Sequence, residues 1–237
     1  MTLEERYSCL SEGVEPEEIV LLMGKGCFWK KCTFCDYHLD QGNDAVANVI
    51  NTQVLSRVTG VFERLVALNS GSYFELSETT RQQILAVCHE KKITHLHMES
   101  HWLMHQKTSA LKETLASEGI LLHPRIGIET FDENFREEVM IKGMGKGITP
   151  EMIASVYDEC CLLFGMEGQT KAQFLEDVHI AKKHFNRVYI NIFNDNTTGV
   201  KADTYLIDWF KGSILPELKK DPKICILIEN TDLGVGD

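Results

Sequence analysis

The sequence predicts an α/β fold: a partial, open barrel of six βα units followed by an extra C-terminal strand. Three observations carry that reading. Short apolar runs of strand length alternate with stretches of helical spacing along the 237 residues. Strands separated by helices pair in parallel, through right-handed crossovers that leave the helices outside. No Pro-, Gly- or Ser-rich linker, charge block or repeat of about 20 to 50 residues divides the chain, so one domain over residues 1–237 is the economical organisation.

Taken in order, the strands are EIVLLMG (18–24), GSYFEL (71–76), ITHLHME (93–99), RIGIET (125–130), ECCLLFG (159–165), RVYINIF (187–193) and KICILIE (223–229). A cysteine-rich loop, 24–40, follows the first of them. Val46, Val49, Ile50, Val58, Val61, Phe62 and Leu65 then recur at helical spacing. Thr149-Pro150 reads as an N-cap with proline at the first helical position, and Thr170 with Gln173 as a capping box opening the helix of Phe174, Val178, Ala181 and Phe185. The run Gly143 to Gly147 lacks the glycine and hydroxyl spacing of a phosphate loop and is read as a helix terminus and turn. Functional residues of such barrels gather at the carboxyl ends of strands, which is where the cysteine loop lies.

Composition narrows the class. With 43% apolar residues the chain can bury a sizeable core. It has no run of about 18 apolar residues and opens on MTLEERYSCLSEG, without an apolar leader core, so a cytoplasmic protein is expected. In a reducing compartment the eight cysteines do not read as a disulfide framework. Cys9, Cys88, Cys160, Cys161 and Cys225 are scattered and read as packing residues, while Cys27, Cys32 and Cys35 cluster. A net charge of −11 disfavours stable nucleic-acid binding, which depends on Lys and Arg at phosphates.

CFWKKCTFCDYH (27–38) spaces its cysteines C-x4-C-x2-C. Three chemistries are open to it. His38 could complete a Cys3His zinc set, although the chain offers no second C-x2-C knuckle. Thiol exchange would use Cys32 and Cys35 and leave Cys27 idle. Three thiolates holding a [4Fe–4S] cluster would leave one iron open to substrate or cofactor.

The stretch GCFWKKCTFCDY resembles the cluster loop of the radical S-adenosylmethionine (radical SAM) superfamily, with one residue more than that superfamily's usual C-x3-C-x2-C. Further segments resemble its elongator-like, deazaguanine-acting branch: NSGSYFELSE (69–78), RIGIETFDENFREEVMIKGMGKG (125–147), LLFGMEGQT (162–170) and NIFNDN (191–196). The resemblance spans roughly residues 18 to 230 and implies the partial (βα)6 TIM-like barrel of the radical SAM core. It implies a [4Fe–4S] cluster on Cys27, Cys32 and Cys35, with S-adenosyl-L-methionine on the open iron. Phe34 would pack near the adenine, Ser70, Gly71, Ser72 and Tyr73 would hold the cofactor, and Glu129 would face the ribose or methionyl amine. Gly165 would allow close approach to the adenine, and Asn194 would meet the adenine or carboxylate.

The activity implied is cleavage of queuine, a modified 7-deazaguanine base, to 7-aminomethyl-7-deazaguanine, initiated by a 5′-deoxyadenosyl radical and fed by a flavodoxin- or ferredoxin-type reductant. Substrate contacts are sought at the remaining strand ends: Glu75, Glu99, Ser100, His101, Trp102, Asp195, Glu229, Asn230 and Asp232. Glu99, His101 and Asp195 are the candidates for catalysis. Buried carboxylates suit a ligand presenting N–H donors, and Trp102 offers a face for base stacking. Two alternatives stand beside this: a radical SAM enzyme acting on another small metabolite or a tRNA wobble base, and a noncatalytic Cys3His zinc protein. His95 and His97, two apart on one strand, read as packed or hydrogen-bonded histidines.

Overall fold

The computed structural model describes residues 1–11 and 15–236. They fall into two units, Met1–Phe28 with Tyr37–Arg125 and Asn230–Asp237, and Trp29–Asp36 with Ile126–Glu229.

The first unit begins with β1 (Tyr7–Leu10) and β2 (Glu17–Leu22), which pair antiparallel. There follow α1 (Asp44–Leu55), β3 (Arg64–Asn69), α2 (Glu78–Glu90), β4 (His95–Glu99), α3 (His105–Ser117) and the start of β5 (Leu121–Glu129). From β2 to β5 every pairing is parallel, in sequence order. Side chains alternate across the strands. Val20, Leu22, Leu65, Ala67, Leu96, Met98 and Leu122 face one way and pack with Val54, Leu55, Ile84, Cys88 and Leu115 of the helices. The opposite face is polar on β4 and β5, carrying His95, His97, Glu99, His123 and Arg125.

Several expectations are corrected here. The strand expected at GSYFEL is β3, ending at Asn69, and Tyr73–Glu75 forms a 3-10 turn. RLVALN is the apolar run; the glycine and serines after it break the extended pattern. The helix expected from Val46 to Leu65 stops at Leu55, so Val58 lies past its end and Leu65 on β3. Its buried face holds Ala47, Asn51, Val54 and Leu55, while Val46 and Val49 are exposed. β1 is an eighth strand that YSCL, half polar, did not announce.

In the second unit β5 ends, followed by a π-helical turn (Phe135–Val139), α4 (Pro150–Ala154), β6 (Glu159–Phe164), α5 (Lys171–His184) and β7 (Arg187–Ile192). Next come α6 (Thr204–Trp209), α7 (Leu215–Leu218) and β8 (Ile224–Leu227). β6, β7 and β8 are parallel neighbours. The Thr149 cap is the one expected, its hydroxyl accepting from Met152 N with Pro150 behind it; Thr170 accepts from Gln173 N, but the Gln173 side chain turns to Asp177 Oδ1 at 3.1 Å, so the expected capping box is only an N-cap. Phe174, Val178, Ala181 and Phe185 are buried, and Phe174 stacks on Phe164 with ring centroids 4.1 Å apart. Among the described residues no helix is long and apolar enough to cross a membrane.

Candidate functional site

The chain leaving β2 is seated before it reaches the cysteines. Asn51, fully buried on α1, accepts from Met23 N at 2.8 Å, donates to Met23 O at 2.8 Å and donates to Thr80 Oγ1 at 3.0 Å. Four residues later Cys27 meets the turn after β3. A Cβ added at Gly71 would stand 3.1 Å from Cys27 Cα, 3.2 Å from its nitrogen, and collide with the Glu75 carboxylate. Only glycine lets the two backbones approach this closely. The Glu75 carboxylate accepts from the backbone N–H groups of Phe28 and Ser72, so it organises the turn.

His101 joins the same group. Its backbone N–H donates to Ser72 Oγ at 2.9 Å, its Nδ1 accepts from Leu103 N at 3.2 Å, and its ring meets Phe28 edge-on at 5.5 Å. Ser72, Glu75, His101 and the Cys27–Phe28 segment thus come together in the first unit. Ser70 donates to Asp40 Oδ2 at 3.2 Å, and Asp40 is forked by the buried Arg6 at 2.8 Å. Glu99 lies 3.4 Å from the buried guanidinium of Arg125. Trp102 is buried and has one face covered by His105, stacked at 4.5 Å. Asn230, exposed, accepts from the Tyr37 hydroxyl at 3.3 Å. Tyr73, expected among the cofactor-holding residues, is turned instead into the helix-side core, where burial raises its hydroxyl pKa. A large, mostly apolar side chain gains more there than at a polar strand end.

The second unit holds Cys32 and Cys35. They lie against an apolar nest of Phe34, Met140, Leu163, Met166 and Phe193. The loop is laced down at both ends: Thr33 N and Oγ1 donate to Met140 O (3.1 Å) and Val139 O (2.9 Å), Trp29 Nε1 donates to Ile141 O (2.7 Å), and Asn196 Nδ2 donates to Phe34 O (2.7 Å). Glu129, ending β5, is nearly buried at φ 70°, a left-handed conformation that costs a non-glycine residue on the order of 1 kcal/mol or more. Its Oε1 is 2.6 Å from Lys142 Nζ. Asp177 of α5 holds the next turn by accepting from Phe131 N at 2.7 Å, and burial raises its pKa.

Beyond β6, Gly165 has φ 95°, and a Cβ there would meet Ile207 Cγ1 at 2.6 Å. Asn194 Nδ2 donates to Ile192 O at 3.2 Å and Ile228 O at 3.0 Å, tying β7 to β8. Asp195 is half exposed, paired with Lys201 at 2.8 Å and accepting from Ala202 N; the Lys201 contact lowers its pKa. Its carboxylate closes the 195–202 loop, and with Asn194 it lines a cavity of about 350 Å³. Glu229 is exposed.

Residues that sequence reasoning passed over include Asn51, Lys142 and Gly127, whose importance rests on tertiary contacts. His123 is another. It stands opposite His97 across β4 and β5, stacked at 4.5 Å, and its Nε2 is 2.9 Å from His95 Nδ1. His95 and His97 are packed and hydrogen-bonded as expected, His97 Nε2 lying 2.7 Å from Arg64 NH1.

No protein-family model matches the chain, and no curated protein does. Among solved structures, the queuine lyase from Clostridium spiroforme bound to SAM and queuine is 39% identical, with a TM-score of 0.93, over 99% of this chain and 100% of that one. This chain belongs to the queuine lyase family of radical SAM enzymes. The fold of a queuine lyase is therefore the one expected, an α/β partial barrel of the radical SAM core with an extra C-terminal strand. Streptococcus suis SuiB shares the fold alone, at 17% identity and a TM-score of 0.56, over 92% of this chain and 50% of that one.

Queuine lyases, as radical SAM enzymes, imply a [4Fe–4S] cluster, and the chain offers sulfur donors of the type that suits one. Cys27, Cys32 and Cys35 each bring a cysteine sulfur, and each is part-buried. Soft thiolate sulfur is the ligand such clusters take. Gly71 gives Cys27 a close backbone wall, and the apolar nest limits water around Cys32 and Cys35.

Proposed function

We propose that this chain cleaves queuine to 7-aminomethyl-7-deazaguanine as a radical SAM lyase of queuine salvage. The observation that carries the reading is the end-to-end match, at 39% identity, to a queuine lyase holding both SAM and queuine. When bound, the cluster and S-adenosyl-L-methionine supply a 5′-deoxyadenosyl radical that removes a hydrogen atom from the substrate.

The protein's work is to hold, orient and shield. We assign the cluster to Cys27, Cys32 and Cys35. Ser70, Gly71 and Ser72 present a glycine-opened backbone turn to the cofactor, Phe34 a buried ring, Glu129 a carboxylate, and Gly165 and Asn194 the ends of β6 and β7. Tyr73 supports the turn from behind rather than touching the cofactor. Substrate contacts are assigned to Glu75, Glu99, His101, Trp102, Asp195, Glu229 and Asn230, with Glu99, His101 and Asp195 nearest the chemistry. Of these, Glu99 beside Arg125, and His101, whose Nδ1 accepts from Leu103 N and whose ring meets Phe28, are held by neighbours that restrict their rotamers, which is the preorganisation a reactive intermediate requires. Residues 1–237 act as one catalytic core. The electron comes from a flavodoxin- or ferredoxin-type protein, in the cytoplasm, and stable nucleic-acid binding is not part of the cycle.

The test is an anaerobic assay of iron-reconstituted protein with queuine and reductant, following 5′-deoxyadenosine and product by mass. Deuterium carried from labelled queuine into 5′-deoxyadenosine is the expected result. Brown protein that cleaves S-adenosyl-L-methionine yet leaves queuine intact would move the substrate elsewhere in the superfamily. Protein that binds zinc and no iron would remove the superfamily chemistry altogether.

A further inference from the structure

Lys142 is absent from every role assigned above, yet its place is unusual. Its ammonium and the Glu129 carboxylate are both nearly buried, with side-chain exposures of 13% and 10%. The pair sits over Gly127, two residues earlier on the same face of β5. A Cβ added at Gly127 would lie 2.6 Å from Glu129 Oε1 and 2.9 Å from Lys142 Nζ, so the glycine makes the room. Nζ stands 5.8 Å from the centre of the Phe34 ring, and Phe34 packs with Cys32 and Cys35 in one nest. Thr33, between those cysteines, is hydrogen-bonded to Met140, two residues before Lys142.

Stability does not explain this arrangement. Replacing a buried ion pair by apolar groups of similar volume is often neutral or stabilising. Here the pair also depends on a left-handed Glu129 and on a glycine in mid-strand. What two fixed charges can do beside thiolate ligands is set a potential, since net charge and hydrogen bonding around the sulfurs govern how readily an iron–sulfur cluster takes an electron.

We propose that Lys142 and Glu129 are opposed positioning charges that set the cluster's reduction potential, Lys142 raising it and Glu129 lowering it. The inference rests on the radical SAM reading of Cys27, Cys32 and Cys35. The step concerned is the gain of one electron from a one-electron reductant, with no proton taken up and no bond broken. A nearby cation stabilises the added negative charge, and a nearby carboxylate opposes it.

The experiment is a redox titration of reconstituted protein without S-adenosyl-L-methionine, poised with dithionite and mediators and read by the electron paramagnetic resonance of the reduced cluster. Lys142→Met leaves the carboxylate alone and is expected to make reduction roughly tenfold less favourable, a fall of about 59 mV for a one-electron couple. Glu129→Gln removes the negative charge while the ammonium stays, and is expected to raise the potential by a similar amount, with the double variant returning toward wild type. A merely structural pair predicts shifts in one direction, because either loss loosens the same nest. Shifts of equal sign, or two single variants that match wild type, overturn the proposal. So do variants that hold no cluster while wild type loads fully, for the pair is then scaffolding. Failure of wild type itself to assemble a cluster instead sinks the underlying assignment of the cysteines.

Discussion

Asn51→Ala tests whether the cysteine loop is positioned from the helix layer. The side chain is completely buried and makes three hydrogen bonds, two to the Met23 backbone and one to Thr80. Truncation leaves those partners without a mate. At about 1–1.5 kcal/mol for each such bond, the loss sums to roughly 3–4.5 kcal/mol. For a chain of this length 1 kcal/mol moves Tm by about 2–4 °C, so a fall of roughly 6–18 °C is expected. Anaerobic thermal and urea unfolding of the iron-free protein measure it, with the midpoint shifted and the m-value unchanged. Because Met23 leads directly to Cys27, iron bound after reconstitution should fall in parallel. Asn51→Leu, which fills the space but restores no hydrogen bond, should recover little. A loss within about 0.5 kcal/mol, the range of an ordinary surface substitution, would refute the reasoning.

Three further outcomes follow from the same contacts. Gly71→Ala places a methyl against Cys27 and Glu75 and should lower iron content and 5′-deoxyadenosine yield together; full occupancy by iron assay and visible absorbance would show that the wall is not needed. Gly165→Ala meets both a left-handed φ and Ile207, and is expected to cost about 1–3 kcal/mol in urea unfolding; the Ile207→Ala partner should return only the steric share. His95 is held below its ordinary value of 6.5 by burial, then by Arg64 and His123. The unfolded chain therefore binds the extra proton first as pH drops, so stability is lost as pH falls through about 6.5, by at most roughly 1.4 kcal/mol per pH unit. His95→Gln should flatten the urea midpoint across that window, and a slope unchanged in the variant would assign it to another group.

Much was legible in the chain. β6 and β7 are parallel and buried on both faces over much of their length, so ECCLLF and RVYINI stand out as apolar runs, and the caps at Thr149 and Thr170 read directly from local chemistry. β3 was displaced because Tyr73 and Phe74 lent GSYFEL the look of a strand. α1 was overextended because Val58 and Leu65 continued a helical period by accident; one is buried beyond the helix and the other on a strand. β1 escaped notice because its residues are half-buried or exposed, and α2 and α3, mostly polar, gave little periodic signal.

Three cysteines so closely spaced already mark a candidate metal-binding loop, because thiolate chemistry and chain spacing are local properties. The glycine and serine turn after β3, the G-x-E ending β5 and the asparagine ending β7 were visible for the same reason. Which neighbours those groups meet is a different question. Nothing local tells that Gly71 walls Cys27, that Asn51 seats Met23, that Asp195 closes its own loop, or that Lys142 stands beside Glu129 and the Phe34 nest. The Asp195 loop closes over 6 and 7 positions and the Glu129–Lys142 pair over 13, while the Asn51–Met23 contact spans 28; all exist only once the folded backbone has brought them within reach.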